Sequence, residues 1–213
     1  MKIKYLAHAS FLITSESGVR IVTDPYTPGG GIKHGEIRES ADIVTVSHEH
    51  GDHNNAAAVR GNPKVARGSA EVKGIKIRAV PTVHDDKGGS QRGKNTIFCF
   101  SVDGVNICHC GDLGHELTAE QVKEIGGVDV LMIPVGGFFT IDAKTATKVG
   151  EQLKAKVIIP MHYKTEKLDF PIAGVEEFTK GKSNVTSAGG SEMELKAGKL
   201  PATTQITVLK PSL

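Results

Sequence analysis

The run His48-Glu49-His50-Gly51-Asp52-His53 constrains this chain more than any other six positions. It holds three imidazoles and a central aspartate, and imidazole with carboxylate is a ligand set for Zn, Fe or Mn. It follows Asp42-Ile43-Val44-Thr45-Val46, an apolar segment that reads as a buried strand. A chain leaving a strand still extended points alternate side chains the same way, so His48 and His50 face one point. Gly51 permits a tight turn. Asp52 and His53 then lead into a predicted helix from Asn54 to Arg60 and face a different point. One short segment can therefore reach two neighbouring metal positions.

A polar loop with surface histidines is the plain alternative, and the rest of the chain argues against it. An open two-metal site needs about three protein ligands per ion, a bridge and a water. Three more ligand-type residues stand just past apolar runs. His84 follows the segment 74–80, Asp112 follows 104–109, and His162 follows 156–160. Strand C-termini are where α/β folds place their functional loops.

These residues together resemble the metallo-β-lactamase superfamily. The matching motifs are His48-x-His50-x-Asp52-His53, the isolated His84, Gly111-Asp112 and Pro160-Met161-His162-Tyr163, with Asp24 of Thr23-Asp24-Pro25 as the early aspartate. The opening Tyr5-Leu6-Ala7-His8-Ala9-Ser10-Phe11 is similar to a subgroup of small Zn-dependent hydrolases related to ascorbate-phosphate lactonase. The resemblance implies a four-layer αββα sandwich of two mixed β-sheets with helices outside, the metals lying at one edge between the sheets. It implies two divalent ions, zinc first and Mn or Fe as alternatives. His48, His50 and His84 would hold one ion, and Asp52, His53 and His162 the other. Asp112 would bridge them, since a carboxylate can offer one oxygen to each ion and a neutral imidazole cannot. Asp52 would also accept a proton from the nucleophile, a bridging hydroxide. His8 and Asp24 would support the ligands, because a metal-bound imidazole usually donates its other N–H to a carboxylate.

Departures within the superfamily narrow the expectation. Redox-active di-iron members carry Glu where this chain has His50, which favours hydrolysis. Many true β-lactamases carry Cys where this chain has Asp112. RNA-processing members insert a domain before the last histidine, whereas here Asp112 and His162 are 50 positions apart. The expected function is hydrolysis of a small ester, lactone or phosphoester. The alternatives are a phosphodiesterase acting on a nucleotide or lipid head group, and a non-catalytic metal-binding or sensing protein.

Composition bounds the partners. The 213 residues suffice for one domain, 1–213, with its own core, and no Pro/Gly/Ser-rich linker divides them. A net charge of +2 without a basic run gives no nucleic-acid footprint. The apolar stretch from Val128 to Phe139 is broken by Asp129, Pro134 and two glycines, so no membrane span is expected. The N-terminus lacks the apolar stretch of a signal peptide, and three cysteines without a paired framework point to a reducing cytoplasm. Cys108 and Cys110 read as small hydrophobes packing inward from a strand.

Short apolar runs predict strands near 2–6, 9–14, 19–23, 42–46, 64–66, 74–80, 96–101 and 105–110, then near 129–133, 156–160 and 205–209. Helices are predicted after Thr118 as N-cap, from Ala143 to Lys154 behind Asp142, and from Gly174 to Lys180. Ser15–Ile21 faintly echoes Ser101–Ile107, two hairpins that each lead to an aspartate. Two flexible-looking segments, 27–35 and 85–94, flank the motifs. Arg92, Lys94 and Asn95 are candidates for binding an anionic group of a small-molecule substrate. Tyr163 is a further candidate contact, and Gly136-Gly137-Phe138-Phe139 a candidate apolar wall.

Overall fold

The ligand-bearing ends of the strands meet because of how the strands are paired. The structure, a computed structural model, describes residues 1–213. Its strands are β1 (Lys2–Ala7), β2 (Ser10–Thr14), β3 (Arg20–Thr23), β4 (Ile43–Thr45), β5 (Lys64–Ala66), β6 (Ala70–Val72), β7 (Ile75–Val83), β8 (Lys94–Val102), β9 (Val105–His109), β10 (Val130–Pro134), β11 (Val157–Met161), β12 (Val185–Ser187), β13 (Glu192–Glu194) and β14 (Gln205–Val208). They form a six-stranded sheet in the order β13-β1-β2-β3-β4-β5 and an eight-stranded sheet in the order β12-β14-β11-β10-β9-β8-β7-β6. Each sheet is part antiparallel and part parallel. In the first, β1-β2-β3 alternate in direction and β3-β4-β5 run parallel. In the second, β7-β8-β9 alternate and β9-β10-β11 run parallel. Within the first sheet β1, β3 and β4 therefore share a direction, as do β7, β9 and β11 within the second. His8, Asp24, the His48–His53 run, His84, Asp112 and His162 follow the C-termini of these six strands.

The inward faces of both sheets form one core. Ile3, Tyr5, Phe11, Ile13 and Ile21 from the first sheet join Phe98, Phe100, Ile107 and Met132 from the second, all buried. Removing apolar surface from water at roughly 25 cal/mol per Å² is what holds the sheets face to face. The helices are α1 (Ala119–Ile125), α2 (Ala143–Leu153) and α3 (Val175–Thr179). Thr118 and Gln121 close α1 with a reciprocal capping box. The Asp142 carboxylate accepts from the Thr145 N–H at 2.8 Å to start α2, whose buried face carries Ala146, Val149 and Leu153 as the apolar spacing predicts. Packing of α1 on β7, of α2 on β10 and of α3 on α2 sets the helices on the eight-stranded sheet.

Over the six-stranded sheet the outer layer is built differently from the expected helical one. Leu6, Leu12, Val22 and Val44 point outward into a second buried cluster with Tyr26, Ile32, Ile37, Val59, Leu168 and Ile172. Those covering residues come from loops. The helix expected from Asn54 to Arg60 is a single 3-10 turn, Ala56–Ala58. Competing backbone partners explain this. The Asn55 N–H donates to the Pro25 carbonyl, and Arg60 exchanges bonds with Ala41 and Glu39. Strands β6, β12 and β13, none of them expected, are three-residue edge pieces. No helix is long and apolar enough to cross a membrane.

Candidate metal centre

Strand β4 stops at Thr45, and the chain turns through a bend so that His48 is buried while His50 stays exposed. The His53 N–H closes the turn on the His50 carbonyl at 2.9 Å. Two ligand groups result. His48, His50 and His84 present nitrogens within 4.8 Å of one another, and so do the ligand atoms of His8, Asp52, His53 and His162. Between the groups lies Asp112. Its Oδ2 is 3.1 Å from His84 Nε2, 3.2 Å from His53 Nε2, 3.3 Å from His162 Nε2 and 3.9 Å from His48 Nε2.

These atoms have little else to bond to. His8 Nδ1, His48 Nε2, His53 Nε2, His84 Nδ1, Asp112 Oδ1 and both ring nitrogens of His162 are buried without a hydrogen-bond partner. Buried polar groups are paired in about nine cases of ten or more. A cluster of unpaired imidazole nitrogens around one carboxylate fits divalent cations, whose coordination satisfies such groups. Imidazole with carboxylate is also the donor chemistry expected for zinc.

The backbone is strained to make this arrangement. His8, Asp24 and His162 have φ of +57°, +38° and +51°, a region that non-glycine residues seldom occupy. Such strain persists where surrounding structure over-determines it. His162 is pinned through its N–H to the His8 carbonyl at 2.9 Å, which also accepts from the Tyr5 hydroxyl at 2.9 Å. Gly111, at φ +53°, lies so close to Ser47 and Asn95 that a Cβ would clash with both.

One relay fixes two of the imidazoles. The Asp24 carboxylate accepts from the Ser47 N–H at 2.8 Å, the Ser47 hydroxyl at 2.5 Å and His53 Nδ1–H at 2.9 Å. With its hydroxyl proton committed to Asp24, Ser47 Oγ accepts from His48 Nδ1–H at 3.0 Å. In their neutral forms both rings are thereby held in the tautomer that leaves Nε2 as a lone pair facing Asp112. Ser47, which joins Asp24 to His48, is a residue of the candidate site that sequence reasoning missed. A serine after a strand carries no signal of its own, and only its place between Asp24 and His48 reveals the role.

The electrostatics follow the geometry. Burial pushes the Asp112 carboxyl up, but the imidazoles of His162 and His53 outweigh it and hold the group well below the carboxylate range. Burial lowers His53, and the carboxylates of Asp112 and Asp52 overcome it, so this imidazole is raised well above its usual value. His48 goes down to about 3, from burial first and the neighbouring His53 second. His8 goes down to about 4, from burial and from His162, whose ring is 4.1 Å away. His8 Nε2 lies 3.2 Å from Asp52 Oδ2.

The expected substrate contacts separate. Asn95 is 1% exposed. Its amide donates to Thr82 Oγ1 at 2.8 Å and the Cys110 carbonyl at 2.9 Å, and its Oδ1 accepts from the Asp112 N–H at 2.9 Å. It positions Asp112 and has no polar atom left for substrate. The Tyr163 hydroxyl donates to the Leu209 carbonyl at 3.1 Å from a buried position, so it too is committed internally. Lys94 is exposed and lines a cleft of about 720 Å³ with Asp85, His115 and Gln121. Arg92 alone lies over the aromatic residues near the ligands, 5.7 Å above the Phe139 ring. The segment 85–94 is an ordered turn. Both Asp85 oxygens accept backbone N–H groups, from Lys87 and Gly89 at 2.8 Å, Gln91 at 3.0 Å and Arg92 at 2.7 Å. His34 and His109 take structural roles: His109 Nε2–H donates to the Ala9 carbonyl at 2.8 Å, tying the two sheets, and His34 bonds Leu213 and Thr165.

A sandwich of two mixed sheets with histidines and aspartates gathered at one edge defines a class, and the comparisons agree with it. Residues 2–162 match the family described as "Beta-lactamase superfamily domain", and the chain belongs to the metallo-β-lactamase superfamily. Within it the chain falls among the metal-dependent hydrolases. It is 32% identical to a UPF0173 metal-dependent hydrolase of Thermococcus onnurineus, over 84% of this chain and 91% of that one. It is 32% identical to another from Pelotomaculum thermopropionicum, over 92% and 100%. A crystal structure of a candidate Zn-dependent hydrolase of the superfamily from Thermotoga maritima superposes with a TM-score of 0.82 at 41% identity, covering 98% of this chain and 97% of that one.

Proposed function

We propose that this chain is a hydrolase of small ester, lactone or phosphoester substrates that works with two divalent ions, zinc by preference. The observation that carries the reading is Asp112 Oδ2, within 4 Å of nitrogens from four buried imidazoles. His48, His50 and His84 would hold one ion and Asp52, His53 and His162 the other, with Asp112 within reach of both groups. When bound, such ions supply Lewis acidity to a substrate oxygen and lower the pKa of water so that it attacks at neutral pH.

The chain's own groups do the rest. Asp24 and Ser47 keep His53 and His48 presenting Nε2. Asn95 holds the backbone of Asp112. His8 donates from Nε2 to Asp52 and keeps that carboxylate oriented toward the ligand cluster. Asp52, at 22% side-chain exposure, is the least buried of the three carboxylates and would take up the proton when water attacks. Three free, buried cysteines favour a reducing cytoplasm as the working compartment.

Elemental analysis together with turnover tests the proposal. The metal-replete protein should hold two ions per chain and hydrolyse either para-nitrophenyl acetate or bis(para-nitrophenyl) phosphate, the preferred probe telling carboxyl from phosphodiester chemistry. A folded protein that holds no metal under these conditions refutes the reading.

A further inference from the structure

Phe138 is the one large hydrophobic residue the chain leaves exposed, at 64% of its surface. Its φ is +61°, so the backbone there is strained as well. Exposure and strain both cost stability. Such outliers gather at ligand-binding segments. Phe138 also begins a continuous aromatic path to the metal ligands. Its ring lies 4.7 Å from Phe139, edge to face; Phe139 lies 5.5 Å from Phe170; and Phe170 stands edge-on to His8 at 5.6 Å and 6.5 Å from His162. Phe170 also walls a cleft of about 370 Å³ whose floor includes Gly51 and Asp52. The strip therefore runs from bulk solvent to the reacting centre.

A cation sits on the same strip. The Arg92 guanidinium lies 5.7 Å above the Phe139 ring. It is half-buried and makes no ion pair, while Arg20, Arg38 and Arg67 each pair with a carboxylate. Its backbone is fixed, because the Arg92 N–H donates to Asp85 and the next residue's carbonyl accepts from the His84 N–H at 3.0 Å. A half-buried guanidinium stacked on an aromatic ring and left without a counter-charge is an anion subsite in chemical terms.

We infer that the substrate carries an aromatic or extended apolar group with an anionic substituent, the apolar part lying on Phe138, Phe139 and Phe170 and the anion on Arg92. This rests on the hydrolase reading above and narrows it to one substrate class.

Four para-nitrophenyl esters separate the contributions: acetate, phenylpropanoate (ring only), hemisuccinate (anion only) and carboxyphenylpropanoate (ring and anion). On the metal-loaded protein, kcat/KM for the doubly matched ester should exceed that for acetate by about 100-fold, the scale of one well-filled specificity pocket. Arg92→Gln should lower the ratio of carboxyphenylpropanoate to phenylpropanoate by about tenfold, and Phe138→Ala should lower the ratio of phenylpropanoate to acetate, both with unchanged metal content. Lys123→Gln, a cation on α1, should leave both ratios as they are. Calorimetric binding of free carboxyphenylpropanoate gives a second readout, with Arg92→Gln weakening it about tenfold. Equal rates for all four esters, or binding indifferent to both substitutions, overturns the inference. If none of these carboxyl esters turns over on a fully loaded protein, the carboxyl-ester form of the hydrolase reading fails while the phosphodiester probe still tests the rest of it, and the binding arm still decides the subsite.

Discussion

The two edges of the same sandwich solve opposite problems. At the edge where β2 turns into β3 and β8 into β9, polar groups find partners within the protein. Ser15 Oγ accepts from the Val19 N–H at 2.9 Å, and Asp103 accepts from the Glu16 N–H at 2.7 Å, joining the two hairpins whose sequences echo each other. Nearby, Asp42 accepts from the Arg20 N–H at 2.8 Å and Asp129 from the Asn106 N–H at 2.9 Å, each with a lysine alongside. At the other edge seven buried nitrogen and oxygen atoms on six residues go unpaired. Aspartates at the first edge complete the fold. Those at the second stand among buried imidazole nitrogens that the fold leaves unpaired.

That contrast fixes the order of effects. The largest belongs to His53, which lies against both Asp112 and Asp24. His53→Ala should cut hydrolysis by a factor on the order of 10³ or more, since ligand and relay are lost together; initial rates at saturating metal check it. Chelation comes next. If each free ion is present at about 100 times its Kd it contributes about 2.7 kcal/mol, so removing two should lower the melting temperature by about 11–22 °C for a chain of this size. Scanning calorimetry with and without chelator reads this, and an unchanged transition would mean that the unpaired atoms do not await a cation. Ser47→Ala leaves every ligand in place but frees the His48 tautomer, and metal affinity should fall by about 10–100-fold. A metal titration that overlays the parent would remove Ser47 from the relay.

The hairpin edge should respond to pH and not to metal. Lys73 first, and then the Arg20 N–H, hold Asp42 below its usual value. At Asp129 burial raises the carboxyl, and the Asn106 N–H with Lys156 more than reverses that. A carboxylate lowered in the folded state contributes stability above its unfolded pKa of about 3.8, and loses it as pH falls through the folded value. Asp129→Asn should therefore flatten the acid limb of the stability profile below about pH 4 and leave metal content unchanged. Denaturant melts across that range show the slope directly.

The sequence announced the second edge far better than the first. His48, His50, Asp52, His53, His84, Asp112 and His162 were legible because ligand-type residues just past apolar runs have few other reasons to stand there. The residues that hold them were less so. Ser47 and Asn95 act through partners 23 and 17 positions away, which no local pattern encodes. Asn95 and Tyr163 have the polar atoms of substrate contacts, and only the packed structure shows those atoms already used. The apolar face of α2 was readable from its spacing. The turn after His53 was not, because its helix lost to backbone bonds with Pro25, Ala41 and Glu39. Strands β12 and β13 are short and expose most of their residues, so they carry no alternation to read.

The most direct test of the central claim is the metal content of three proteins side by side: the parent, Asp112→Asn and Asp103→Asn. Asp103 accepts the Glu16 N–H and faces the buried Met1 ammonium at 3.4 Å at the hairpin edge, so its variant should lose about 1–3 kcal/mol of stability and keep two ions. Asp112→Asn keeps the shape but removes the charge shared by both ligand groups, and two cations at close range then repel each other. It should hold fewer than two ions and lose hydrolysis by orders of magnitude. If Asp112→Asn retains two ions and near-parental turnover, Asp112 does not join the two groups and the account of this edge is wrong.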